Sequence, residues 1–259
     1  MLTMNKQKPL IAFLINKFSY SLLSIIKHSS DILHKDNKSA SNLLIIMKDN
    51  FEFKRFYKEL HEDKKIFKIF QQTDTLILTQ REIKESCDIF PIEYLEMIDS
   101  EEALYGKKLS EIIKIENKNL RLQIESNIRR NIILLKSAFI YDKKHIAQTL
   151  NASLNSFIIS LKNLLRFHNV PVKEMSARDV LIKTADIIEL DIQLFFLLMR
   201  IIDNPRLIKI DKIDIEEIFY LYLAQVENIV TFVDKLDVTT KKDTIKKATT
   251  AKKNVKTSK

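Results

Sequence analysis

The side chains able to do acid–base, metal or nucleophilic chemistry are few and scattered. Five histidines stand at positions 28, 34, 61, 145 and 168, with neither an HExxH pair nor a Cys/His group at zinc-ligand spacing. His28 and His34 flank Asp31, which permits a metal site; dispersed surface histidines are the simpler reading. Cys87 is the single cysteine. It rules out an internal disulfide framework, and with no histidine set to activate it, it reads as a core residue. Arg121, Glu125 and Arg129 recur every four residues, which on a helix makes a salt-bridged outer face. The same spacing makes Arg121 and Arg129 candidate phosphate-binding residues if that face lines a cleft between domains. Asp211, Asp214 and Glu216 form an acidic group that a helix N-terminus explains.

The single glycine, Gly106, excludes a whole class of activities. Loops that cradle phosphates need several glycines so that backbone N–H groups can approach the anion. No P-loop, dinucleotide fingerprint or kinase-type loop can therefore be written in this chain. With 46% hydrophobic and 30% charged residues, the balance is that of a soluble protein. The net charge is +9, but residues 237–259 hold eight lysines and two aspartates, leaving only +3 on the rest. Near the N-terminus, Lys6 and Lys8 precede LIAFLI, yet the apolar run stops at Asn16 and Lys17 with no cleavage site after it. LFFLLM at 194–199 is far short of the ~20 residues that span a bilayer. These features predict a cytoplasmic protein without a transmembrane segment.

The elements that would position any site follow from apolar spacing. Leu10, Leu14, Phe18, Leu22 and Ile25 predict one helix over 10–28. Residues 43–47, all apolar, predict a strand buried on both faces. Asp49 and Glu52 have capping-box spacing ahead of a helix whose inner stripe is Phe53, Phe56, Leu60, Phe67 and Phe70. Residues 75–78 predict the next strand, joined by a right-handed crossover, and Thr79 with Glu82 caps a short helix ending near Cys87. Pro91 can open a third strand over 92–98, Asp99 with Glu102 caps a helical turn, and Gly106 suits the left-handed position after it. Downstream the period is helical throughout, predicting five antiparallel helices. Of these, Ser176 with Asp179 and Asp214 with Glu217 cap two, and Val170-Pro171 stops another.

The segment LILTQREIKESCDIFPIEYLEMIDSEEALYGKKL, followed by NLRLQIESNIRRNIILLKSAFI, resembles a group of bacterial nucleotidyltransferase-domain proteins. These belong to the superfamily of polymerase beta and the aminoglycoside nucleotidyltransferases. The similarity is best over 76–140 and continues as apolar pattern to 236; FPIEYLEM and LYGKKL are its most specific pieces. It implies an α+β fold, mostly helical overall: a small mixed-sheet nucleotidyltransferase-like domain with an N-terminal helix over 1–110, then a helical domain over 111–236. Residues 237–259 are expected to form a disordered basic tail.

Active members of that superfamily carry a Gly-Ser loop before a strand bearing Asp-x-Asp. Residues i and i+2 of a strand share a face, so the two carboxylates hold Mg²⁺ over a triphosphate. The matching strand here is LLIIM, preceded by Ser39, Ala40, Ser41 and Asn42. Neither motif survives, so the resemblance implies an eroded, inactive site in which no metal or cofactor is expected. The remaining candidates for a rebuilt catalytic set are Asp36, Asp49, Glu93 and Glu96, and only an active, divergent enzyme would need Mg²⁺ and a nucleoside triphosphate. The expected role is a binding or scaffold module for a protein partner. The lysine pairs Lys241/Lys242, Lys246/Lys247 and Lys252/Lys253, with Lys259 at the end, offer nucleic acid or an anionic membrane surface as a further partner.

Overall fold

The computed structural model describes residues 4–29, 42–141 and 146–236. The chain is mostly helical α+β, with one four-stranded mixed sheet among the described residues. It divides into two units, Met1–Gln123 and Ile124–Lys259. Among the described residues no helix is long and apolar enough to cross a membrane. The expected basic tail lies outside the described residues.

The first unit contains, in chain order, α1 (Met4–Phe18), β1 (Leu22–His28), β2 (Asn42–Met47), α2 (Phe53–Glu62), α3 (Lys64–Gln71) and β3 (Asp74–Thr79). Then come α4 (Gln80–Ser86), α5 (Pro91–Asp99), β4 (Glu102–Gly106), α6 (Leu109–Ile112) and the start of α7 (Asn117–Tyr141). The strand order is β3-β2-β1-β4; β1 runs antiparallel to both neighbours and β2 parallel to β3. Alternation along β2 supplies two cores. Leu43, Ile45 and Met47 join Leu10, Leu14, Phe18, Phe56, Leu60 and Ile66, while Leu44 and Ile46 join Ile83, Tyr94, Met97 and Leu109. The sheet therefore has α1, α2 and α3 on one face and α4, α5 and α6 on the other.

Three sequence expectations change in this unit. The helix over 10–28 ends at Phe18, and Leu22 and Ile25 belong to β1. Two residues three apart should face opposite ways in a strand, but the β1–β2 register shifts between Leu22 and Ser24. This bulge puts Leu22 and Ile25 in one core, with Leu23 and Ile26 in the other. The result mimics helical spacing in the sequence.

The strand over 92–98 is instead α5, with Pro91 at its first position, where the missing N–H is no loss, and Glu93 in its first turn. The strand comes later, as β4, so Asp99 and Glu102 do not cap a turn between them. Gly106 ends β4 rather than a helix. Its φ is +74°, and a Cβ there would stand 2.0 Å from the Leu23 carbonyl oxygen. Its role is close backbone approach to the bulge of β1, secured by Lys107 N–H donating to Ser24 Oγ at 2.9 Å.

The third change splits the helix expected after Asp49 into α2 and α3. Asp63 caps α3, accepting from the N–H groups of Lys65 and Ile66. Glu52, rather than Asp49, stands at the N-cap of α2, and its side chain makes no capping bond.

The second unit contains the rest of α7, then α8 (Ile146–Phe167), α9 (Ala177–Ala185), α10 (Ile192–Asp203), the one-turn α11 (Leu207–Ile210) and α12 (Ile215–Asp234). The capping box of Ser176 and Asp179 has both reciprocal bonds. Asp214 accepts from the N–H groups of Glu216 and Glu217. Helix α8 packs on α9, α10 and α12, with Phe157 stacked on Phe195 at 5.6 Å and both edge-on to Tyr222. Helices α7 and α12 run antiparallel: Arg129 lies near Asp234, Lys136 binds Glu227 at 2.7 Å, and Phe139 stacks on Phe219 at 4.1 Å.

Candidate functional site

The strand that the sequence resemblance would align with Asp-x-Asp is β2, and all six of its residues are buried. The i, i+2 pairs Leu43/Ile45, Ile45/Met47 and Leu44/Ile46 all hold apolar side chains inside a core, where an unpaired carboxylate would lose its hydration without compensation. Around this strand the acids serve the ends of short helices. Asp49, just past β2, accepts from the Arg81 N–H at 2.9 Å, in the first turn of α4. Glu82 accepts from the N–H and hydroxyl of Thr79, completing the expected capping box. Glu101 accepts from the N–H groups of Leu109 and Ser110 and from the Ser110 hydroxyl, fixing the start of α6. Each carboxylate satisfies donors that the first turn of a helix leaves without partners.

Glu93 and Glu96 sit on α5, three residues apart along a helix rather than on a strand. Glu93 accepts from Gln123 Nε2 at 2.6 Å, and the same amide's Oε1 accepts from the Ile92 N–H at 2.7 Å. Gln123 therefore clamps the first turn of α5, which nothing local in the sequence signals. The Glu96 carbonyl accepts from the Ser100 hydroxyl. Among the described residues, no group of three or more His, Cys, Asp or Glu is arranged to hold a metal ion, so Asp49, Glu93 and Glu96 do not form one. Asp36, Asp31, His34 and His145 lie outside the described residues.

Of the two arginine candidates, Arg121 is half-buried in the first unit. Arg129, in the second, donates from Nε to Glu125 Oε1 at 2.7 Å, as the i, i+4 spacing predicts. Cys87 is half-buried beside the α4–α6 core, its thiol donating to the Ile83 carbonyl. Burial holds that thiol above its ordinary pKa, and Asp88 adds to the effect, which disfavours the reactive thiolate.

Sequence reasoning missed a buried polar cluster in the second unit. The Tyr222 hydroxyl lies 2.9 Å from Ser153 Oγ, and Asn131 Nδ2 donates to the Ser153 carbonyl at 3.0 Å. Burial pushes the Tyr222 phenol far up, against the lowering effect of its bonds to Ser153 and Asn131. The group therefore stays neutral and ties α7, α8 and α12 together. The available signal was Asn131, a polar residue on the buried stripe between Ile128 and Leu135. Compared with known protein families, with curated proteins and with solved structures, the chain matches none.

Proposed function

We propose that this chain is a nucleotidyltransferase-like protein that does not transfer nucleotides and acts as a binding or scaffold module for a protein partner. The observation that carries the reading is the state of β2 and its neighbours. The strand that should bear paired carboxylates is wholly buried and apolar from Leu43 onward, while Asp49 is engaged at the start of α4 and Glu93 at Gln123. Further support comes from the order of parts, a mixed sheet with a parallel β2–β3 pair followed by long helices, which agrees with the arrangement the resemblance implies. On this reading the chain works in the cytoplasm, consistent with its single unpaired cysteine.

The test is calorimetry with ATP, CTP, GTP and UTP in the presence of Mg²⁺, paired with a label-transfer assay. The expected outcome is no metal-dependent transfer of label with any of the four. Transfer to any acceptor would sink the reading.

A further inference from the structure

Helix α2 has two different faces. Phe56 and Leu60 enter the core, whereas Phe53, Tyr57 and His61 recur every fourth residue on a side the core does not use. Each such step turns only about 40° around the axis and rises about 6 Å, so the three rings follow one another along the helix, with Phe53 also edge-on to Phe51 at 6.5 Å. Tyr57 lies 5.5 Å from His61, and His61 lies 4.8 Å from Phe67 of α3. Phe53 is 63% and Tyr57 52% exposed. On the opposite flank of α2 the Arg55 guanidinium lies 5.0 Å over the ring of Tyr20, which is also exposed.

Cations interleave with these rings. Lys54 and Lys58 each follow one of these rings by one residue. Lys54 with Arg55, and Lys64 with Lys65, occupy the first turns of α2 and α3, and neither first turn contains an acid. A helix N-terminus already carries partial positive charge, so these pairs work against helix stability and concentrate positive potential beside the rings. Nearby acids are largely engaged: Glu59 with Lys17, Glu62 with Lys58 at 3.8 Å, and Asp63 at the α3 cap. Glu52 is the nearest further acid. Protein-docking faces share exposed aromatic rings but are depleted in lysine. Here the apolar surface is aromatic, and residues 52–65 hold five lysines and arginines against four acids.

We propose that this surface of α2 binds single-stranded nucleic acid, with unpaired bases stacking on Phe53 and Tyr57 while Lys54 and Lys58 meet the phosphates. Stacking on exposed rings requires free base faces, which a duplex does not offer. The inference does not rest on the nucleotidyltransferase-like reading, which concerns β2 and its acids.

The test is fluorescence anisotropy of the full chain with labelled oligouridylate and oligothymidylate of about 12 nucleotides, competed by a duplex of equal length. Single strands should bind in preference to duplex. Phe53→Ala and Tyr57→Ala should each weaken binding about tenfold, Tyr57→Phe should bind as the parent, and Lys54→Ala should lessen the salt dependence. These positions are exposed, so melting temperatures should not move. The lysines from 241 to 259 are unchanged in every variant, so losses report α2 alone. The proposal is overturned by any of three results: no single-strand binding at low salt, ring variants that bind as the parent, or equal competition by duplex.

Discussion

The sheet unit is built from short elements and the helical unit mainly from longer ones; both cap helix starts with acids, and they differ in what else they do with polar groups. Every short helix leaves N–H groups without partners at its start. In the sheet unit Asp49, Asp63, Glu82 and Glu101 supply acceptors at three such starts, with Asp49 and Glu82 both serving α4. In the helical unit Asp179, Asp191 and Asp214 serve helix starts in the same way, and Asn131, Ser153 and Tyr222 carry polar contacts into the core besides. Helix starts account for four of the sheet unit's carboxylates, and among its described residues no metal-holding group comes together. An acid count near a sheet is weak evidence for chemistry when the helices around it are short.

The largest expected effect tests the sheet unit at Gly106. Gly106→Ala combines a left-handed φ with a clash against the Leu23 carbonyl, and should cost about 3 kcal/mol, read from denaturant unfolding. In the helical unit, Tyr222→Phe leaves the buried Ser153 without its hydroxyl partner and should cost about 1–3 kcal/mol. Adding Ser153→Ala should cost little more, because the two hydroxyls act as one pair; additive losses would show that they do not. Asp49→Ala should cost about 1 kcal/mol, the typical effect of losing a helix cap, whether or not Mg²⁺ is present. A loss that appears only with Mg²⁺ would mark Asp49 as a ligand and break the comparison.

The smallest effect depends on pH. His168, just past α8, lies beside Phe167 and Phe232, and its buried Nε2 has no hydrogen-bond partner. Burial lowers its pKa below the ordinary value of 6.5. The unfolded chain then takes up the proton first, so this contribution is complete above about pH 6.5 and is lost as pH falls through the lowered folded value. His168→Gln should flatten that acid limb in melting curves taken between neutral and mildly acidic pH. An unchanged slope would remove His168 from the account.

The helical unit was the more legible in sequence because its long stripes repeat often enough for the 3.6-residue period to dominate. Its caps at Ser176 and Asp214 are local signals and appear where spacing puts them. The sheet unit was read correctly at β2, β3 and the Thr79 box, each a short-range pattern. It was misread where geometry departs from the regular period. The bulge in β1 gives Leu22 and Ile25 helical spacing, and Pro91, which can open a strand, opens α5 instead. The candidate acids could not be assigned roles from sequence, since Asp49 meets Arg81 and Glu93 meets Gln123 across some thirty intervening residues. Spacing alone places Phe53 in the core stripe of α2; only the exposure of Phe53 and Tyr57 separates the two faces.

The central claim, that the sheet unit's acids serve the fold and not a metal, is tested most directly by a label-transfer assay on the parent chain beside Asp49→Asn and Glu93→Gln. The account predicts no Mg²⁺-dependent transfer by any of the three and lower melting temperatures for the two variants. Transfer by the parent that either substitution abolishes would contradict it.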